Sequence, residues 1–147
     1  MKTERLYYSD SYLTSFQATL VDQRDGGHRV YLDRTAFYPT SGGQLFDTGR
    51  LGGIRVIEVV DEDDRIAHLL EGPLPPGVVE GVVDWRRRFD HMQQHTGQHL
   101  LSAVFANEFA YQTVSVHFGE ATATLDLDVG ALGPEEIRRA EARANAL

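Results

Sequence analysis

Apolar and polar residues alternate with a period of two in several short runs over the first 85 residues. In the run SFQATLVDQ, the side chains of Phe16, Ala18 and Leu20 fall on one face, which is typical of a half-buried strand. Similar runs cover Ile54–Val60, Arg65–Leu70 and the segment VVEGVVDW that follows Gly77. Gly-rich or acidic segments that favour turns, DGG at 25–27 and DEDD at 61–64, separate these runs. The pattern predicts five or six short strands in a small barrel or sandwich.

The period changes to that of a helix from Arg86 to about Phe109, a stretch without proline. Four side chains form one apolar arc at 100° per residue. They are Leu100, Leu101, Val104 and Phe105. Two further strand-like pieces follow around Gly119, and a final helix is predicted to begin at Pro134, with acidic residues in its first turn.

The last helix is predicted to bury residues at helical spacing, namely Ile137, Ala140, Ala144 and Leu147. The whole chain therefore predicts an α+β fold. A β-barrel-like module is expected over residues 1–85, and a second module with a helix, a hairpin and another helix over 86–147. Because the sequence ends inside the last helix without a capping signal, we expect the second module to be incomplete.

Composition and charge restrict the function classes. The 147 residues carry 22 acidic and 14 basic side chains, a net charge of −8, which argues against general nucleic-acid binding. One local basic segment, Arg86–Arg88, still allows a contact with RNA, although a solvated start of the helix is an equal alternative. No apolar run is long enough for a membrane span and no signal peptide is visible, so a cytoplasmic protein is expected.

Three histidines, His91, His95 and His99, follow one another at intervals of four in the predicted helix. Each step of four rotates by about 40° and rises about 6 Å, so one metal ion can bridge two neighbours but not all three. Spacing alone leaves two pairs open, His91 with His95 or His95 with His99. The histidines lie opposite the apolar arc and are expected to face solvent or a second layer. Paired imidazoles suit Zn²⁺, although such pairs also occur on solvated helix faces.

The segment FYPTSGGQ, residues 37–44, is a candidate ligand loop. Gly42 and Gly43 permit backbone conformations that other residues avoid, and they would let a ligand approach the chain closely. A tight turn between two strands explains the same pattern. The Gly-Lys-Ser/Thr of a phosphate-binding P-loop is absent.

Together, FYPTSGGQLFDTG and VDWRRRFDHMQQHTGQHLLS, followed by SVHFGEATATLDLD and EEIRRAEARANAL, resemble the editing proteins related to alanyl-tRNA synthetase. The resemblance includes the freestanding AlaX-type hydrolases and runs in order over nearly the whole chain. It implies hydrolysis of the ester that joins a wrong amino acid, usually serine or glycine, to tRNA(Ala), an aminoacyl-tRNA deacylase activity. It also implies that the second module is a helix-on-antiparallel-sheet editing domain, shared with threonyl-tRNA synthetase.

The resemblance further implies individual roles. The metal-binding histidines of the family fall on His95 and His99, with Zn²⁺ as the cofactor and His91 as a neighbour rather than a ligand. The glutamine of the glycine loop falls on Gln44, which would line the site, and Thr35 is a candidate for contacting the serine hydroxyl. The acceptor end of tRNA(Ala) is the implied partner, and Arg86, Arg87 and Arg88 are candidates for holding it.

One departure from the family pattern concerns the metal. The family completes its site with a Cys-x-x-x-His segment, whereas this sequence contains no cysteine. We therefore expect a half-complete zinc site in this chain. The alternative hypothesis is a non-catalytic module that binds tRNA or a synthetase and keeps the fold without a complete metal site.

Overall fold

A computed structural model describes residues 2–147 and shows an α+β protein that divides into two compact units, Met1–Asp90 and His91–Leu147. The division lies inside a long helix, whereas the sequence predicted a boundary before it, at residue 85. Neither helix in the described part of the chain combines the length and apolarity that a bilayer crossing requires.

Eight strands lie in the first unit. They are β1 (Glu4–Arg5), β2 (Ser15–Arg24), β3 (Arg29–Leu32), β4 (Arg34–Thr35), β5 (Gly49–Leu51), β6 (Ile54–Glu62), β7 (Arg65–Leu70) and β8 (Val78–Val83). Six of them form a closed barrel in the order β2-β3-β7-β6-β5-β8, with every neighbouring pair antiparallel. The short strands β1 and β4 pair in parallel, and Leu6–Tyr8 and Asp25–Gly27 form single turns of 3-10 helix. Of the two alternatives left open, the barrel is confirmed.

The barrel interior collects the apolar faces of its strands. Phe16 and Ala18 of β2 are buried and Leu20 packs against the same cluster, as the period of two predicted. The ring of Phe16 meets that of Phe37 edge-on, with 5.7 Å between centroids. A Cβ on Gly81 of β8 would lie 2.4 Å from the Phe16 ring, so this strand position requires glycine.

Turn chemistry decides where the strands end. Asp25, Gly26 and Gly27 all have positive φ and connect β2 to β3 as predicted. The acidic turn between β6 and β7 is shorter than predicted. Asp61 and Glu62 still pair with β7, and only Asp63 and Asp64 make the turn, because Asp63 accepts a left-handed φ of 59°.

The second unit contains most of helix α1 (Trp85–Phe109), the antiparallel hairpin β9 (Thr113–Phe118) and β10 (Ala123–Leu127), and helix α2 (Pro134–Asn145). Its core is Val104, Phe105 and Ala140, against which other side chains pack partly buried. The predicted apolar arcs are wider than the buried faces, since Leu101, Ile137 and Leu147 are exposed. Helix α2 starts as predicted at Pro134, and the Glu136 carboxylate accepts the Gly133 N–H at 2.8 Å.

Candidate metal and ligand sites

The three histidines of helix α1 differ in how deeply their side chains are buried. His91 is buried, His95 is half-buried and His99 is exposed. The burial of His91 excludes solvent for this side chain, so of the two expected surroundings only a second layer is compatible with it. Each step of four residues rotates the side chain by about 40° around the helix axis. The first and the last of the three histidines therefore meet different surroundings.

The structure brings the side chains of His95 and His99 together. Their ring centroids lie 5.0 Å apart with an angle of 29° between the planes. The ring of Phe118 on strand β9 meets His95 edge-on at 5.8 Å. Burial lowers the pKa of His95, and the neighbouring His99 lowers it further. A lowered pKa keeps the imidazole of His95 neutral, which is the form that binds a metal ion.

This pair supplies donors of the right chemistry for part of a zinc site. Zinc accepts imidazole nitrogens in tetrahedral sites, and histidines four apart on a helix can share one ion. Within residues 2–147 no cluster of three or more histidine, cysteine or acidic side chains is placed to hold a metal. His95 and His99 therefore fit as two ligands, and water or another group would have to complete the coordination.

The glycine segment in the first unit forms a two-residue turn. Ser41 and Gln44 exchange backbone N–H···O hydrogen bonds of 3.0 Å in both directions. Gly42 and Gly43 have φ values of 57° and 86°, which correspond to a type I′ turn. The tight-turn alternative is confirmed, and it leaves the side chain of Gln44 buried. That Gln44 lines a ligand site stays a prediction.

A buried ion pair anchors the segment that carries this turn. Arg88 of helix α1 donates from Nε to both carboxylate oxygens of Asp47, at 2.9 and 2.8 Å, and both side chains are almost fully buried. Asp47 also accepts the backbone N–H of Tyr38 at 2.7 Å, while Arg88 donates to the carbonyls of Ser11 and Ala36. The two ends of the Gly-Gly-Gln segment are thus tied to each other and to the helix.

This burial corrects the predicted basic patch. Three consecutive arginines on a helix point about 100° apart, so they cannot all share one exposed face. Arg88 is a structural residue, Arg86 is exposed, and Arg87 is half-buried. Arg87 donates to the Phe46 carbonyl at 3.0 Å with its guanidinium over the Phe46 ring. Contact of Arg86 and Arg87 with RNA stays a prediction.

The structure places Thr35, the candidate for contacting the serine hydroxyl, inside the barrel unit. Its side chain is fully buried in the barrel unit, where Oγ1 lies 2.8 Å from His68 Nε2 and accepts the Phe37 N–H. Desolvation lowers the pKa of His68 to about 4, so the ring is neutral at physiological pH. The Thr35 hydroxyl is therefore already engaged inside the barrel unit, and its contact with a serine hydroxyl stays a prediction.

Sequence reasoning missed three residues at these places, Asp47, His68 and Phe118. Asp47 pairs with a residue 41 positions away, and His68 contacts one 33 positions away. No local sequence pattern predicts either contact. His68 falls within a run of buried apolar residues in β7, and only that position could have suggested an interior histidine.

The relatives found by comparison with known proteins share one name. No protein-family model matches the chain. The alanyl-tRNA editing protein Aarsd1 of Bos taurus is 35% identical over 92% of this chain and 34% of its own length. AlaX-M of Methanosarcina mazei, also named an alanyl-tRNA editing protein, is 34% identical over 99% of this chain and 63% of its own length. AlaX-L of Pyrococcus horikoshii, named likewise, is 36% identical over 98% and 38%.

An α+β chain with a paired-histidine helix thus has relatives that are named alanyl-tRNA editing proteins. The chain belongs to the family of alanyl-tRNA editing proteins. It spans from about a third to just under two thirds of the length of these relatives.

Proposed function

We propose that this chain hydrolyses the ester bond of tRNA(Ala) mischarged with serine or glycine. The observation that carries the proposal is the identity of 34–36% to alanyl-tRNA editing proteins over 92–99% of the chain. The paired imidazoles of His95 and His99 support a hydrolytic centre, because ester hydrolysis at neutral pH benefits from a bound metal ion.

His95 and His99 are the proposed zinc ligands. When bound there, Zn²⁺ would supply Lewis-acid chemistry, lowering the pKa of a water molecule or polarising the ester carbonyl. The contribution of the chain is to present two neighbouring imidazoles, with the pKa of His95 lowered by burial so that its ring favours the neutral form. Phe118 helps to fix the ring of His95 by packing against it. Gln44 is proposed to line the substrate site, on a turn held in place by the Arg88–Asp47 pair.

Selection of serine over alanine requires a polar partner for the serine hydroxyl. A site built around such a hydrogen bond rejects the analogue that lacks the hydroxyl. Because His68 and the Phe37 N–H already engage the Thr35 hydroxyl, we do not assign this role to Thr35. Editing is needed because a synthetic site discriminates poorly between small side chains.

Hydrolysis of three substrates tests the proposal. Single-turnover rates are measured with seryl-, glycyl- and alanyl-tRNA(Ala), using the chain loaded with zinc. We expect at least one mischarged substrate to be hydrolysed well above the uncatalysed rate, and alanyl-tRNA(Ala) to be spared. Equal rates on all three substrates, or rates no higher than in buffer, would contradict the proposal.

A non-catalytic tRNA- or synthetase-binding module is the second candidate. The observation that favours it is that the described residues gather only two imidazoles at the proposed centre. Elemental analysis of the purified chain separates the two. Stoichiometric zinc that is lost in His95→Ala/His99→Ala, and retained when the exposed His117 is replaced by alanine, favours the hydrolase. Absence of zinc from all three proteins favours the binding module.

A further inference from the structure

Two arginines face each other on the outer surface of the barrel unit. Strands β5 and β6 are joined by Gly52 and Gly53, whose φ values of 57° and 80° make a type I′ turn. In this hairpin Arg50 lies directly opposite Arg55. The residues that follow the two arginines along their strands, Leu51 and Val56, are fully buried, so the two arginines project from the opposite, outer face.

Among residues 2–90, no contact explains this pairing as stabilising. Like charges directly opposite each other on a sheet are destabilising. Arg50 donates at 2.9 Å to the backbone carbonyl of Gly53, which carries no formal charge. Arg55 lies 3.9 Å from Glu71, and both side chains are about 60% exposed, so solvent screens this contact strongly. The two guanidinium groups therefore keep most of their capacity to bind an anion.

The arginine pair borders a cleft of about 350 Å³. Its lining includes Thr48, Val82 and Asp84 beside the two arginines. The Asp84 carboxylate lies 3.5 Å from Thr48 Oγ1, which is a weak hydrogen bond at best. The lining itself carries two guanidinium groups and one carboxylate, and the Glu71 carboxylate lies beside Arg55 outside it, on a chain whose overall charge is −8.

We propose that the Arg50–Arg55 cleft binds a phosphate group of the RNA backbone. Guanidinium forks match phosphate oxygens in a bidentate geometry, and two forks on one face can engage one phosphate or two neighbouring ones. RNA is the favoured source because a single phosphate gains little at an exposed site, whereas a polyanion adds contacts along its length. Arg86, which is exposed and follows Asp84 by two residues, lies within about 7 Å of that residue by chain length and would extend the basic surface.

This inference rests on the proposed function, which makes RNA the substrate, and it adds the β5–β6 hairpin to Arg86 and Arg87 as a candidate RNA contact. It can be tested with the 147-residue chain and a tRNA(Ala) transcript by fluorescence anisotropy over a range of salt concentrations. The variant is Arg50→Gln/Arg55→Gln. A matched control, Arg24→Gln/Arg34→Gln, removes the same charge from exposed positions of the same unit.

We expect the Arg50/Arg55 variant to bind the transcript about tenfold more weakly, with a salt slope smaller by about one to two, and the control to bind like the parent. Arg50→Lys/Arg55→Lys keeps the charge and is expected to keep the salt slope while losing part of the affinity. Equal weakening in both glutamine pairs, no weakening in either, or a parent chain that binds inorganic phosphate but not the transcript would overturn the inference.

Single-turnover hydrolysis by the same variants separates this inference from the proposed function. Binding that depends on Arg50 and Arg55, without any hydrolysis by the parent chain, would retain the cleft and refute the hydrolase. Hydrolysis by the parent chain, with binding indifferent to Arg50 and Arg55, would retain the hydrolase and refute the cleft.

Discussion

The guanidinium of Arg88 is buried against the carboxylate of Asp47, and this pair fastens the first turns of helix α1 to the segment that carries the Gly-Gly-Gln turn. The Asp47 carboxylate also accepts the Tyr38 N–H, and the Arg88 guanidinium also donates to the Ser11 and Ala36 carbonyls. A buried pair with this many partners holds the backbone around it in one arrangement. The position of Gln44 therefore depends on a contact three residues further along the chain.

Breaking the pair at one side is expected to be costly. Asp47→Asn leaves the Arg88 guanidinium buried without its counter-charge, and the free energy of unfolding should fall by about 3–5 kcal/mol. Urea denaturation followed by circular dichroism measures the loss. Replacement of the exposed Arg86 by glutamine is the control, with an expected change within about 0.5 kcal/mol. A loss in Asp47→Asn no larger than in this control would show that the pair does not hold the segment.

His68 is expected to remain neutral in the folded chain down to about pH 4. Because the unfolded ring has a pKa near 6.5, the unfolded chain takes up a proton between pH 6.5 and 4 that the folded chain does not. Stability from this group is complete above pH 6.5 and falls as the pH drops, by up to about 3 kcal/mol. Two-dimensional NMR of the imidazole resonances measures the titration. A midpoint near 6.5 for His68 would contradict its burial beside Thr35.

The two glycines of the Gly-Gly-Gln turn are expected to resist substitution. Alanine at Gly42 or Gly43 must adopt a positive φ, which costs about 1–2 kcal/mol at each position. Gly97 in helix α1 provides a control at which alanine is expected to stabilise the chain. An added Cβ there meets no atom within 4 Å, and alanine favours a helix over glycine by up to about 1 kcal/mol. Thermal unfolding of the three single variants gives the comparison. Equal effects at all three positions would mean that the turn is not type I′ in solution.

The sequence predicted the elements of this fold better than its contacts. Alternation identified β2, β7 and β8, and helical spacing identified α1 and α2, because each of these patterns is local. Register shifts interrupt strict alternation in β2 and β6, and these strands end one and two residues beyond the predicted runs. The short strand β5 has only three residues, too few for a pattern.

In the candidate sites, too, local features were predictable and contacts between distant residues were not. The proximity of His95 and His99 follows from helical spacing, and the structure brings their rings together. The burial of Arg88 and Thr35 depends on Asp47 and His68, partners that lie far away in sequence, so no local pattern could predict it. Residue type indicated polarity at these positions, and only the folded arrangement shows which polar groups are already paired.

The most direct test of the proposed hydrolase is the rate of seryl-tRNA(Ala) hydrolysis by the zinc-loaded chain, compared with His95→Ala/His99→Ala. His117→Ala serves as the control, since this exposed histidine lies on strand β9 and is not a proposed ligand. The proposed mechanism predicts a rate at least about 100-fold lower in the double variant, because the metal-assisted step is lost, and an unchanged rate in the control. Hydrolysis at the same rate in all three proteins would contradict a catalytic role for His95 and His99.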